Sequence, residues 1–236
     1  MDSILIKQPA GLGDIFFTQK IAHTLAEHYN CRVTWPVLDE FIWVKDYLIA
    51  PNVDFIPLSS DFKHKNVYEQ PISDIIEIED NCLYLPLQHA DWQIPGSVME
   101  AKYKMVNMDF DDWADYFDFN RNEGRERDLF DLLELTEENY IVTNRYFGSG
   151  KEGVCTQINF NTPLKVVEVD NIPGFTLFDW SYIMQCALQI HTVDTSWCYL
   201  FEKLALENGV NMYSRYTPSN WMHIKNLFKS KWVYHN

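Results

Sequence analysis

Short runs of β-branched and aliphatic residues alternate with stretches of helical spacing along this chain, and the alternation is gone through twice. That pattern belongs to parallel sheets covered by helices, and it narrows the fold to the α/β class more than any other feature. Ile4, Leu5 and Ile6 form the first strand, after which Ile15, Thr18, Ala22, Leu25, Ala26 and Tyr29 recur as one helical face. Residues 32–35, 53–56, 75–78 and 82–85 read as further strands and 41–49 as a helix. From 99 to 135 the pattern turns helical and charged, ending in NRNEGRERDLFDLLEL, which reads as a solvated connecting helix. A second series follows, with strands at 140–143, 165–169, 190–193 and 210–213 and helices over 177–188 and 197–206. Pro218 suits the first turn of a terminal helix.

The expected organisation is therefore a first domain over 1–122, a helical linker over 123–138, a second domain over 139–217 and a terminal helix over 218–236 packed near the domain junction. Acidic residues outnumber basic ones 34 to 19, a formal charge of −15, which works against a broad basic face and excludes nucleic acid as the expected partner. The opening MDSILIKQPAG has neither a charged leader nor a long apolar run, and no later stretch reaches the roughly 20 apolar residues of a membrane span. A cytoplasmic protein without a membrane span is the expectation. Five scattered cysteines without a C-x-x-C pair argue against a disulfide framework or a zinc site. The aromatic content, 13 Tyr, 15 Phe and 8 Trp, suits sugar-binding surfaces but is accounted for first by core packing.

Ligands of open α/β sheets bind beyond the carboxyl ends of strands, so three loops carry the functional information. The first, AGLGD, holds Gly11, Gly13 and Asp14 between strand and helix. The dinucleotide fingerprint G-x-G-x-x-G fails there, because Phe16 stands where the third glycine is required. What remains is a tight loop that sets the Asp14 carboxylate at a helix start, as a cap or as a functional group. The second loop, after residue 193, carries Asp194, Thr195 and Ser196 ahead of a helix, a place suited either to capping or to phosphate oxygens. In the third, TNRYFGSGKEG, glycines permit close backbone approach while Arg145 and Lys151 supply charge for a diphosphate, against the plain reading of solvated loop cations. A D-x-D pair, Asp109 and Asp111, has the ligand chemistry for a divalent cation but ends no clear strand, so it reads as the cap and exposed face before the helix of Trp113 and Tyr116.

Taken in order, ILIKQPAGLGDIFFTQKIAHTLAEHY and TVDTSWCYLFEKLA resemble the two signature loops of the heptosyltransferase-like glycosyltransferases, one in each half of the chain. The resemblance implies an α/β, GT-B-like architecture: two Rossmann-like domains facing across a cleft, the second reduced. It implies an inverting, metal-independent transfer of a sugar from a nucleotide-diphosphate donor to a glycan or other hydroxyl acceptor, with no cofactor beyond the nucleotide sugar as co-substrate. By motif position Asp14 corresponds to the general base, and Asp194, Thr195 and Ser196 to the donor-phosphate loop. Gly11, Gly13, Arg145 and Lys151 are grouped with donor binding. Ser196 stands where the family usually has glycine and Tyr199 where histidine is frequent. Two other readings stay open on the residues alone: a nucleotide-sugar epimerase or hydrolase of the same fold, and a non-catalytic sugar-binding module.

Overall fold

The computed structural model of the chain describes residues 1–90, 98–137, 139–148, 153–215 and 220–236. It divides into two compact units, Met1–Asn120 and Arg121–Asn236. Among the described residues no helix is long and apolar enough to cross a membrane.

The first unit runs β1 (Ser3–Ile6), α1 (Leu12–Phe17), α2 (Gln19–Tyr29), β2 (Arg32–Val37), β3 (Val53–Pro57), α3 (Lys65–Tyr68), β4 (Ile76–Ile78), β5 (Cys82–Leu85), α4 (Val98–Met105) and α5 (Trp113–Tyr116). Its sheet has the order β3-β2-β1-β5-β4. At the centre of the sheet, Ile4, Leu5 and Ile6 of β1 are all buried, as expected of a strand covered on both faces. The aromatic residues go largely into packing: Phe16, Phe17, Trp35, Tyr84, Tyr103 and Trp113 are fully buried.

Two expectations for this unit are corrected. The strand β4 pairs antiparallel with β5, Ile78 opposite Cys82, whereas a parallel series was expected. Asp80 and Asn81 adopt φ of 61° and 52°, so the chain reverses in a tight turn and can only return antiparallel. The helix expected over 41–49 is a 3₁₀ segment, Asp39–Asp46. Phe41, Ile42, Trp43 and Val44 are aromatic and β-branched side chains that lose rotamer freedom in an α-helix, and the Asp39 carboxylate is tied to the Ser59 N–H at 3.1 Å.

The second unit runs α6 (Glu123–Leu132), β6 (Tyr140–Asn144), β7 (Tyr146–Phe147), β8 (Gly153–Val154), β9 (Lys165–Glu168), α7 (Ser181–Cys186), β10 (Gln189–Val193), α8 (Trp197–Lys203), β11 (Val210–Tyr213) and β12 (Trp232–His235). The sheet order is β12-β11-β10-β6-β9, every pair parallel. Between β6 and β9 a short antiparallel β7–β8 ladder stands, and the described residues of that crossover contain no helix. The helix expected over 177–188 opens as a 3₁₀ turn, Leu177–Trp180, closed by a capping box of Thr176 and Asp179, before α7.

The stretch expected to link two domains instead belongs to the second. Leu129 and Phe130 of α6 lie in one core with Tyr140, Val142 and Trp180. The charges of α6 are used in specific pairs: the Arg125 guanidinium forks onto the buried Asp179 carboxylate at 2.9 and 2.8 Å.

Among the described residues of 218–236, the expected terminal helix is absent. Two 3₁₀ turns, Asn220–His223 and Lys225–Leu227, lead into β12, which pairs with β11, Val210 opposite Trp232. Pro218 lies outside the described residues. Apolar residues at 221, 224, 227 and 228 do recur with helical spacing and are buried, but 3₁₀ turns satisfy that spacing, and the aromatic and β-branched run that follows is strand material. The Glu202 carboxylate latches this end of the chain, accepting the Lys229 N–H at 2.6 Å, the Ser230 N–H at 3.1 Å and the Trp232 indole N–H at 2.7 Å. At Gly209, φ is 73° and an added Cβ would stand 2.9 Å from the Lys231 carbonyl oxygen, so β12 docks where only glycine leaves room.

Candidate functional site

Each sheet has a topological switch point, where the connections from adjacent strands leave in opposite directions and the loops part to form a crevice. In the first unit this lies beyond β1 and β5; in the second, beyond β6 and β10. The expected motif residues gather at these two places, and each unit has its own cluster.

At the first switch point, Gly11 is the N-cap of α1 and Gly13 and Asp14 are its second and third residues. Asp14 does not serve as a simple cap. Its Oδ1 pairs at 3.0 Å with the Lys102 ammonium, which reaches in from α4 with its side chain only 2 % exposed, while the Asp14 side chain keeps 29 % of its exposure. The other donors of Lys102 go to Gln8 Oε1 at 2.6 Å and to the Leu87 carbonyl at 3.1 Å. Gln8 is laced into the same loop: its Nε2 donates to the Ala10 carbonyl at 2.7 Å, and its carbonyl accepts the Trp35 indole N–H at 3.0 Å. Gly11 has φ of 82°, and a Cβ placed on it would stand 2.3 Å from Asp14 Oδ2. The backbone angle therefore favours glycine there, and a side chain at this position would push the Asp14 carboxylate aside. Burial pulls the Lys102 ammonium below the ordinary lysine range, and Asp14 opposes that pull. The result is a half-exposed carboxylate with one oxygen anchored to a buried cation.

At the second switch point, the Asn144 side chain, at the end of β6, donates to Thr192 Oγ1 at 3.0 Å and to Thr195 Oγ1 at 2.6 Å. Thr195 is thus held from across the sheet, and Ser196, the N-cap of α8, makes no side-chain capping bond, so capping is not what these hydroxyls do. A hydroxyl that accepts from an amide keeps its own proton for another acceptor. Asp194 pairs with Arg215 at 3.3 Å, just past β11. Arg145 lies nearby in sequence to Asn144, but its guanidinium is engaged by Glu168 at 2.7 Å. Lys151, with Ser149 and Gly150, lies outside the described residues.

Asp109 and Asp111 act within a turn: the Asp109 carboxylate accepts the Asp111 N–H at 2.7 Å, and the neighbouring Asp112 pairs with the buried Lys20 of α2. This anchors α5 to α2.

Three participants were missed in the sequence: Gln8, Lys102 and Arg215. Lys102 had a signal, since Met99, Lys102 and Tyr103 share one face of α4 and place a lysine on an otherwise apolar stripe. Arg215 had none, because its partner Asp194 is brought beside it only by the pairing of β10 with β11.

No family model and no curated protein sequence matches this chain. Solved structures do. A glycosyl transferase of family 9 from Veillonella parvula is similar over 99 % of this chain and 85 % of its own, with a TM-score of 0.59 and 12 % identity. The ADP-heptose LPS heptosyltransferase II of E. coli is similar over 100 % and 90 %, with a TM-score of 0.55 and 14 % identity. The E. coli heptosyltransferase WaaC with ADP-2-deoxy-2-fluoro heptose is similar over 99 % and 93 %, with a TM-score of 0.51 and 11 % identity. At such identities the likeness speaks for the fold, and it covers both units. The chain has the GT-B-type α/β fold of these glycosyltransferases.

Proposed function

We propose that this protein is an inverting glycosyltransferase that moves a sugar from a nucleotide-diphosphate donor to a hydroxyl acceptor without a metal or a further cofactor. One observation carries the reading: a carboxylate, Asp14, stands at the first switch point with one oxygen anchored and the side chain still partly open to solvent. An acceptor hydroxyl is a weak nucleophile at neutral pH and needs a base within hydrogen-bond reach. In the proposed step its proton passes to Asp14 as its oxygen bonds the anomeric carbon. The bond from that carbon to the diphosphate oxygen breaks, and the electron pair leaves on the diphosphate. Attack opposite the leaving group inverts the anomeric centre. Donor binding is assigned to the second unit, where the Thr195 hydroxyl, held by Asn144, and Arg215, held by Asp194, are the groups offered to diphosphate oxygens. Two similar folds were solved as heptosyltransferases, one of them with an ADP-sugar analogue, which supports a nucleotide sugar as donor.

The test is a thermal-shift screen of nucleotide sugars, followed by product analysis with the best donor and a mixed acceptor set; a bound donor raises the melting temperature by mass action. Transfer in the presence of a chelator is the expected outcome. Donor consumption without acceptor would favour the epimerase or hydrolase reading, and no shift with any nucleotide diphosphate would favour the binding module. Thr195→Val is expected to weaken nucleotide-diphosphate binding about tenfold or more in calorimetry, the scale of one hydrogen bond to a charged group. Unchanged affinity would take Thr195 out of the donor site.

A further inference from the structure

The three donors of Lys102 are accounted for by Asp14, Gln8 and the Leu87 carbonyl, and among the described residues Asp14 is the carboxylate that balances its charge. Gln8 and Leu87 belong to the segments leaving β1 and β5, so the ammonium is fixed by the walls of the switch point itself. On the far side of the carboxylate, Oδ2 occupies space that a side chain on residue 11 would fill. The two oxygens are therefore unlike: Oδ1 is bound to a buried cation, and Oδ2 lies over bare backbone.

We propose that Lys102 is the positioning residue of the Asp14 base, holding Oδ1 so that Oδ2 is the oxygen that takes the acceptor proton. The proposal rests on the transferase reading above. Lys102 is not itself a catalytic residue, since it is walled off from any substrate. An unanchored carboxylate at this helix start would turn about its side-chain torsions and spend little time aimed at the acceptor, and such misplacement is costly in rate. Among the described residues, His89, past β5, faces Lys102, and Lys7, just past β1, faces His89; burial first, and then both lysines, hold that imidazole below its ordinary range. His89 and Lys7 are positive or neutral, so neither can replace Asp14 as the partner.

The experiment compares the wild type with Lys102→Met, Asp14→Asn and the double variant, each in melting and in steady-state transfer. Asp14→Asn strands the buried ammonium and is expected to lower the melting temperature by roughly 10 °C, and the double variant to recover at least half of that loss. The loss is expected to shrink as pH rises from neutral. Lys102 binds its proton less tightly folded than unfolded, so stability rises with pH between the two values, and without Asp14 that interval extends further down. In transfer, Lys102→Met is expected to lower kcat about 10- to 100-fold with the donor KM unchanged, a split that loss of folded protein alone does not produce. Should Lys102→Met fail to fold, Lys102→Gln, which keeps a donor without the charge, takes its place. Full kcat in an active, folded Lys102 variant overturns the proposal and leaves the transferase reading standing. Strictly additive melting losses in the double variant also overturn it, because the pair is then uncoupled. A wild type inactive with every donor and acceptor overturns the transferase reading, and the positioning role with it, while the melting cycle still reports on the ion pair.

Discussion

Replacing Asp14 with Asn is expected to lower glycosyl transfer by about 10²–10⁴-fold, the usual consequence of losing a general base. Donor affinity, measured by calorimetry on the folded fraction, is expected to stay within a factor of about two, since the donor-phosphate groups of the proposed mechanism lie in the second unit. The structure adds a complication absent from the sequence, where Asn at position 14 looks nearly harmless to the fold. The substitution removes the partner of a buried ammonium, and breaking such a pair costs roughly 3–5 kcal/mol when both charges are buried. Because Asp14 is partly exposed, the lower part of that range applies. Rates must therefore be taken per folded molecule. Transfer that survives at more than about a tenth of the wild-type rate would remove Asp14 as the base.

The second large effect is one of stability. Glu202→Ala is expected to destabilise the second unit by about 3 kcal/mol or more, because three N–H groups that now share one buried carboxylate lose their acceptor together. Glu202→Gln keeps an acceptor oxygen and should lose less. Hydrogen exchange provides the discriminating measurement: amides of β11 and β12 and of residues 229–231 should exchange faster, while β1, β2 and β5 should not change. An exchange increase spread evenly over both units would mean that Glu202 is not a local latch.

Strands were the most legible part of the fold, because in a parallel sheet buried on both faces they read as unbroken apolar runs, and Ile4 to Ile6 or Tyr140 to Val142 have no competing interpretation. Helices were less so. At Phe41 to Val44 and at Trp221 to Phe228 the spacing of buried residues is compatible with α or 3₁₀ backbone, and local tethers decide. The parallel or antiparallel sense of β4 depended on left-handed backbone at Asp80 and Asn81, which residue identity permits without requiring. The candidate site divides in the same way. Asp14 in the first turn of α1, Asn144 at the end of β6 and Thr195 in the loop after β10 all stand at or just beyond the carboxyl ends of strands, where topology alone draws attention. Lys102 is 94 residues from Gln8, and Arg215 follows β11 while its partner Asp194 follows the neighbouring β10, so their contacts depend on how strands register against one another. Asp14 and Thr195 looked like helix caps for the same reason: the partners that give them other work are distant in sequence.

That β12 is an outer strand has a practical side. A chain ended after Phe228 would keep every residue of both candidate clusters, yet it would uncover the whole flank of β11, whose Val210 and Met212 are buried and whose backbone donors and acceptors would then face water. An open flank of that kind is a template for another copy's strand. Shortened versions made to trim an apparently dispensable tail should accordingly come out of cells as aggregates rather than as well-behaved monomers.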